Sequence, residues 1–251
     1  MKLGLAIAFF ITALLYASVG FGGGSTYTAL LAVTGTPYTL IPVVSLACNI
    51  AVVSGNSWRY SRAGLVRWRR LVPILALSIP AAWLGGRTSV SETLFIGMLW
   101  IALLIAGLRL IFAKKAEDQD VRATNKWVNS GLGAGIGFYS GLIGIGGGIF
   151  LAPILHGLRW GRAREIAAAS SVFILVNSLA GLGGQLQKIE SSDIQSDLLP
   201  YLPLLLSVII GGWIGNRLSL NWLSPNMLRR LTGVLVLAVS IRLAIRWVGM
   251  I

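Results

Sequence analysis

Two glycine-rich runs, Gly20-Phe21-Gly22-Gly23-Gly24-Ser25 and Gly144-Ile145-Gly146-Gly147-Gly148-Ile149, each interrupt an apolar stretch long enough to cross a bilayer. Glycine weakens a helix interior by roughly 1 kcal/mol relative to alanine. Irregular backbone at bilayer depth persists only where protein buries it or where it lines a wet cavity. Paired interruptions at corresponding places in two halves of a chain point to a transporter's binding site. Each run therefore reads as a break between two helical pieces. The competing reading is close helix packing of the G-x-x-x-G type. Gly20/Gly24, Gly144/Gly148 and the glycines between 131 and 141 all satisfy that spacing. Packing suffices for the 131–141 series, whereas three consecutive glycines exceed what packing needs.

The chain has 251 residues, 55% hydrophobic and only 12% charged, where a soluble domain carries about 25% charged residues. The expectation is an all-α, polytopic integral membrane protein. Apolar stretches fall at 3–35, 39–58, 71–88, 93–113, 127–157, 166–186, 199–217 and 227–247, giving about eight transmembrane segments. The first and fifth exceed the roughly 20 residues a span requires, and both contain a glycine run. No A-x-A cleavage site follows the N-terminal apolar run, so it reads as a retained first helix. The net charge of +13 arises from basic residues clustered between apolar segments. That pattern fits the positive-inside rule and not a nucleic-acid surface. A single cysteine, Cys48, excludes an intramolecular disulfide and a cysteine zinc cage, and a single histidine, His156, argues against haem. Neither glycine run matches a nucleotide-binding motif, and no cofactor is expected.

The halves resemble each other. Gly20, Gly22, Gly23 and Gly24 align with Gly144, Gly146, Gly147 and Gly148 at an offset of 124 (144 − 20). Ser45 and Gly55 match Ser171 and Gly181 at 126, and Trp83-Leu84-Gly85-Gly86-Arg87 matches Trp213-Ile214-Gly215-Asn216-Arg217 at 130. The implied organisation is two homologous four-segment repeats, 1–113 and 127–251, with broken first and fifth helices and a charged cytoplasmic linker at 114–126. With eight crossings and the N-terminus inside, fourteen Lys and Arg residues fall on the inner side and seven on the outer. Arg159, Arg162 and Arg164 then lie on the wrong side, and the acidic loop at 187–197 faces inward. An inverted second half would repair both, at the cost of one re-entrant or split segment per half. Parallel and inverted repeats both stay open.

A helix broken in mid-membrane presents free N–H groups, and its dipole favours anions there. The candidate substrate-binding groups are therefore Gly22, Gly23, Gly24 and Ser25 in the first run and Gly146, Gly147 and Gly148 in the second. Ser45, Asn49, Ser170, Ser171 and Asn177, on the helices that follow, are the side-chain candidates. Polar groups at this depth face the bundle interior, either as substrate contacts or as interhelical hydrogen bonds. Glu165 and His156 are the titratable candidates for proton coupling, against the plainer readings of a local ion pair and a surface histidine. Arg87 and Arg217 read as snorkelling anchors or as anion attractors. Trp58, Trp68, Trp127, Trp160, Trp222 and Trp247 lie near segment ends, as interfacial belts do.

These paired Gly-x-Gly-Gly-Gly runs, each followed by a polar-containing helix in a duplicated chain, resemble the sulfite exporter TauE/SafE family across essentially the whole sequence. The resemblance implies secondary transport of sulfite, a sulfonate or a related sulfur-containing or organic anion. It also implies that Gly22–Gly24 and Gly146–Gly148 are the breaks and that Ser45, Ser170 and Ser171 are polar sites. The chain departs from the usual Gly-Thr-Ser at Val43-Val44-Ser45 and Ala169-Ser170-Ser171, so substrate preference does not carry over. The expected partners are a small anion, membrane lipid and a coupling proton or sodium ion, in the inner (cytoplasmic) membrane. A homodimer stays open. The alternative is a passive anion or small-solute channel. An intramembrane enzyme would need paired carboxylates or a histidine cluster, which the apolar segments do not offer.

Overall fold

The computed structural model describes residues 2–112, 125–188, 198–217 and 225–250. Its helices are α1 (Lys2–Val19), α2 (Gly24–Val33), α3 (Leu40–Arg62), α4 (Trp68–Arg87), α5 (Glu92–Phe112), α6 (Lys126–Ile143), α7 (Gly148–Gly157), α8 (Ala163–Lys188), α9 (Leu202–Arg217) and α10 (Pro225–Val248). No strand occurs among the described residues. α3, α5, α8 and the stretch Leu199–Arg217 are long and apolar enough to cross a bilayer. α4 and α10, of 20 and 24 residues, have the length but carry more arginine. Most of the linker 114–126, most of the acidic stretch 187–197 and Trp222 lie outside the described residues. Asn125 is described: its side chain accepts the Trp127 N–H and caps α6.

Glycine sets the closest helix contacts. Gly133, Gly137 and Gly141 of α6 lie directly on the carbonyls of Ile74, Ser78 and Ala82 of α4, with no room for a Cβ. Both series rise together, so α4 and α6 run parallel. Gly211 and Gly215 of α9 sit in the same way on the Phe10 and Leu14 carbonyls of α1. Each half thus lays its third long helix (α4 or α9) on the other half's first, and the two are interlocked. α5 and α10 pair antiparallel, with Gly97 against Trp247 and Gly233 against Ile111. α3 and α8 also run antiparallel, and Ser57 and Ser171 share a hydrogen bond of 3.1 Å between them.

These contacts fix the direction of every helix. Tyr60, near the end of α3, packs on Gly20 just beyond α1. Ser45, near the start of α3, bonds Thr28 of α2 at 2.9 Å. The chain therefore rises along α1, reverses between Gly20 and Gly23, and descends along α2. Phe9 and Tyr27, with ring centroids 4.9 Å apart, fasten the return, as does Tyr16 to Thr26 at 3.1 Å. The second hairpin enters from the opposite end. Gln185, near the end of α8, donates to the carbonyls of Gly141 and Leu142 in α6, whereas Arg70 bonds the Trp160 carbonyl beyond α7.

The segments 3–35 and 127–157 each begin and end at one end of the bundle, whereas α3, α4, α5, α8, α9 and α10 each run from one end to the other. At 1.5 Å per residue the 18 residues of α1 cover about 27 Å, and the left-handed glycines Gly20 and Gly23 turn the chain back. Arg59, Arg62, Arg67, Arg69, Arg70, Arg109, Arg159, Arg162, Arg164 and Arg217 gather at the end where α3 finishes, and Arg87, Lys188, Arg242 and Arg246 at the other. α1 begins at this less basic end.

One correction concerns Trp160, expected at an interface. It is 0% exposed, packed with Val66, Leu71 and Leu155 in the core beneath α4 and α8. Trp58, Trp68 and Trp127 are exposed, and Trp247 stacks on Trp100. Exposed apolar side chains such as Leu3, Ile7 and Ile11 on α1, and Ile101, Ile105 and Phe112 on α5, line the outside of the bundle.

Candidate substrate site at the two glycine breaks

Each break is built by glycines in the left-handed region. Gly23 (φ 79°) precedes α2 and Gly147 (φ 78°) precedes α7, a conformation that costs any residue with a Cβ about 1–2 kcal/mol. Their carbonyls take the first-turn donors. Thr26 and Tyr27 N–H bond Gly23 O at 2.9 and 3.0 Å, and Phe150 and Leu151 N–H bond Gly147 O at 3.1 and 3.0 Å. The N–H groups of Gly22, Gly23, Gly24 and Ser25 have no acceptor among the described residues, nor do those from Ile145 to Ile149. Residues 22–25 and 145–148 are all buried. Two helix N-termini, each equivalent to about half a positive charge, thus meet in the interior.

Asn49 joins them. It lies near the middle of α3, fully buried, and its Nδ2 donates to the Ile145 carbonyl of the opposite hairpin at 3.1 Å. Its Oδ1 has no partner among the described residues and lies 2.7 Å from the position of a Cβ on Gly22. Ile174 occupies the equivalent place on α8, against Gly146 and Gly148. Val53 and Ser178 are related in the same way, so α3 and α8 correspond at an offset of 125 (174 − 49), and Ser45 pairs with Ser170 rather than Ser171.

The other candidates divide. Ser45 bonds the Gly24 carbonyl at 3.2 Å and anchors the first turn of α2. Ser170, one turn from Ile174, keeps a buried Oγ with no partner among the described residues. Ser171 is engaged with Ser57, and Asn177 points to α4, donating to Ser78 Oγ at 3.2 Å and to the Phe173 carbonyl at 2.8 Å. Ser178 was missed. Its buried Oγ lies 3.1 Å from a Cβ position on Gly146, and its spacing of eight from Ser170 is the signal that one helical face carries both.

Glu165 and His156 stand apart from the glycines. Glu165 closes the start of α8, accepting the Arg162 N–H at 2.9 Å and pairing with Arg67 at 2.6 Å. His156 is in the last turn of α7, half-buried. Arg87 and Arg217 lie over Trp83 and Trp213, four residues earlier in their helices, at 5.3 and 4.0 Å. This equivalent placement is that of interface anchors. No group of three or more metal-ligating side chains occurs among the described residues. With no ionisable side chain at its centre, the arrangement offers hydrogen-bond donors and dipoles to a negative group.

Residues 5–243 match the family model for the sulfite exporter TauE/SafE. The chain is similar to a protein named "Probable membrane transporter protein" from Sinorhizobium fredii, with 34% identity over 96% of this chain and 97% of that one. It is also similar to a protein of the same name from Methanocaldococcus jannaschii, with 26% identity over 86% of each. No solved structure matches. Matched along nearly its whole length, and built of apolar helices around a buried core, the chain belongs to the sulfite exporter TauE/SafE family and is an integral membrane transporter.

Proposed function

We propose that the protein is a secondary transporter that moves a small anion by alternating access, with sulfite, a sulfonate or a related organic acid as the substrate class. The observation that carries this reading is the pair of buried N-termini of α2 and α7, bridged by Asn49 from one hairpin to the other. Buried backbone donors require a partner, and one oxyanion can accept from several at once. Gly22, Gly23, Gly24, Ser25, Gly146, Gly147 and Gly148 would supply N–H groups, and Asn49, Ser170 and Ser178 the side-chain contacts. Ser45, Ser171 and Asn177 hold the helices in place. The chain would be an inverted duplication with its repeats at 1–113 and 127–251, six crossings and two re-entrant hairpins. The basic end would face the cytoplasm in the inner membrane.

Reconstituted flux tests the reading. A carrier saturates and shows counterflow, and Gly23→Leu or Gly147→Leu abolishes flux while the protein remains inserted. Normal anion flux in either variant contradicts the site.

A further inference from the structure

A cavity lies off the hairpins. It has a volume of about 160 Å³ and is lined by Asn56, Arg59, Tyr60, Ala63 and Leu65 at the basic end of α3, well above the roughly 10–15 Å³ that one water requires. Asn56 is 3% exposed, and its Nδ2 has no acceptor among the described residues. Arg59 spans to α9, where it bonds the Asn216 carbonyl. Arg59, the residue before Tyr60, and Arg164 at the start of α8 both place positive charge at this end of the bundle. Tyr60 also forms the boundary with the first hairpin, its ring carbons 2.9 and 3.0 Å from a Cβ position on Gly20. From Gly20 the loop leads past Val53 and Gly22 to Asn49. The corresponding residues of α8 at the offset of 125 are Gly181, Gly184 and Gln185, and the glycines there are packed against α4. The feature is therefore particular to the basic end.

We propose that this cavity is a second anion site, an antechamber that takes a small oxyanion from the basic face and passes it by Tyr60 to the glycine breaks. It rests on the carrier reading above. Arg59 supplies charge, Asn56 a buried N–H, and Tyr60 a hydroxyl at the threshold. Binding and flux of radiolabelled sulfite test it. Equilibrium dialysis of the purified protein should find about two sulfite ions per chain, falling to one in Arg59→Gln and in Asn56→Leu. In proteoliposomes, Arg59→Gln should raise the half-saturating concentration about tenfold when sulfite is presented to the basic face, as loss of one charged hydrogen bond does. The value from the other face should not move, and Arg59→Lys should recover part of the loss. A single bound ion in the wild type, or an equal shift from both faces, overturns the antechamber. If Asn49→Leu stops flux while Arg59→Gln behaves as wild type, only the antechamber falls. If the wild type binds no sulfite, sulfonate or related organic acid at all, the carrier reading falls with it.

Discussion

Gly24→Ala adds one methyl group, and the structure gives it an unusual sign. Gly24 opens α2 with ordinary helical backbone, so alanine is conformationally allowed there. In an open helix the change would gain about 1 kcal/mol. Here the new Cβ meets the Ile145 carbonyl oxygen of the opposite hairpin and the Asn49 side chain, whose Oδ1 would lie at 2.9 Å. Restoring ordinary van der Waals separation parts the hairpins by about 1 Å, and such overpacking costs about 1–3 kcal/mol. If the parted ends lose one charged hydrogen bond to the anion, about 1.5–3 kcal/mol, half-saturation rises about 10–150-fold. Flux of radiolabelled sulfite into proteoliposomes, beside thermal unfolding in detergent, measures both effects. Gly135→Ala, whose Cβ meets nothing within 4 Å, is the control and should leave flux unchanged. Wild-type half-saturation and stability in Gly24→Ala would refute the apposition of the two hairpins.

Other outcomes follow from the same geometry. Gly137→Val should destabilise by about 1–3 kcal/mol or more, because Ser78 Cα stands 2.9 Å from its Cβ position, while Gly131→Val faces open space; detergent unfolding compares them. Glu165→Gln breaks the 2.6 Å pair with Arg67, whose side chain is 41% exposed, and should cost no more than about 1 kcal/mol. The pH profile of flux should then match the wild type, and a shifted profile would return Glu165 to the coupling role. In a Cys48→Ala background, Arg69→Cys should react with an impermeant maleimide only from the cytoplasm and Thr34→Cys only from outside. Labelling of both from one side contradicts the hairpin topology.

Much of this was legible in the residues. The apolar stretches, the helical breaks at Gly20–Gly24 and Gly144–Gly148, and the close-packing stripe of α6 all follow from composition and spacing. The direction after each break does not. Whether a second helical piece continues or returns depends on loop dihedrals at Gly20, Gly23 and Gly147 that no residue pattern specifies. Trp160 misled because a tryptophan near a segment end reads the same whether it meets lipid or folds under α4. Asn49 stood out as a polar group at mid-depth, but its counterpart Ile174 is apolar, so no repeat comparison could pair them. The one-residue slip between Ser170 and Ser171 arose from matching serines where the packing matches Asn49 to Ile174.

The central claim is that two helix N-termini from opposite faces hold one anion. Anomalous diffraction from crystals soaked in selenite, the heavier congener of sulfite, addresses it directly once selenite is shown to compete with sulfite for flux. A selenium peak is expected beside Asn49, with its oxygens about 2.7–3.2 Å from backbone N–H groups of both α2 and α7. A peak touching only one hairpin, or none between them in a protein whose flux selenite inhibits, would contradict it.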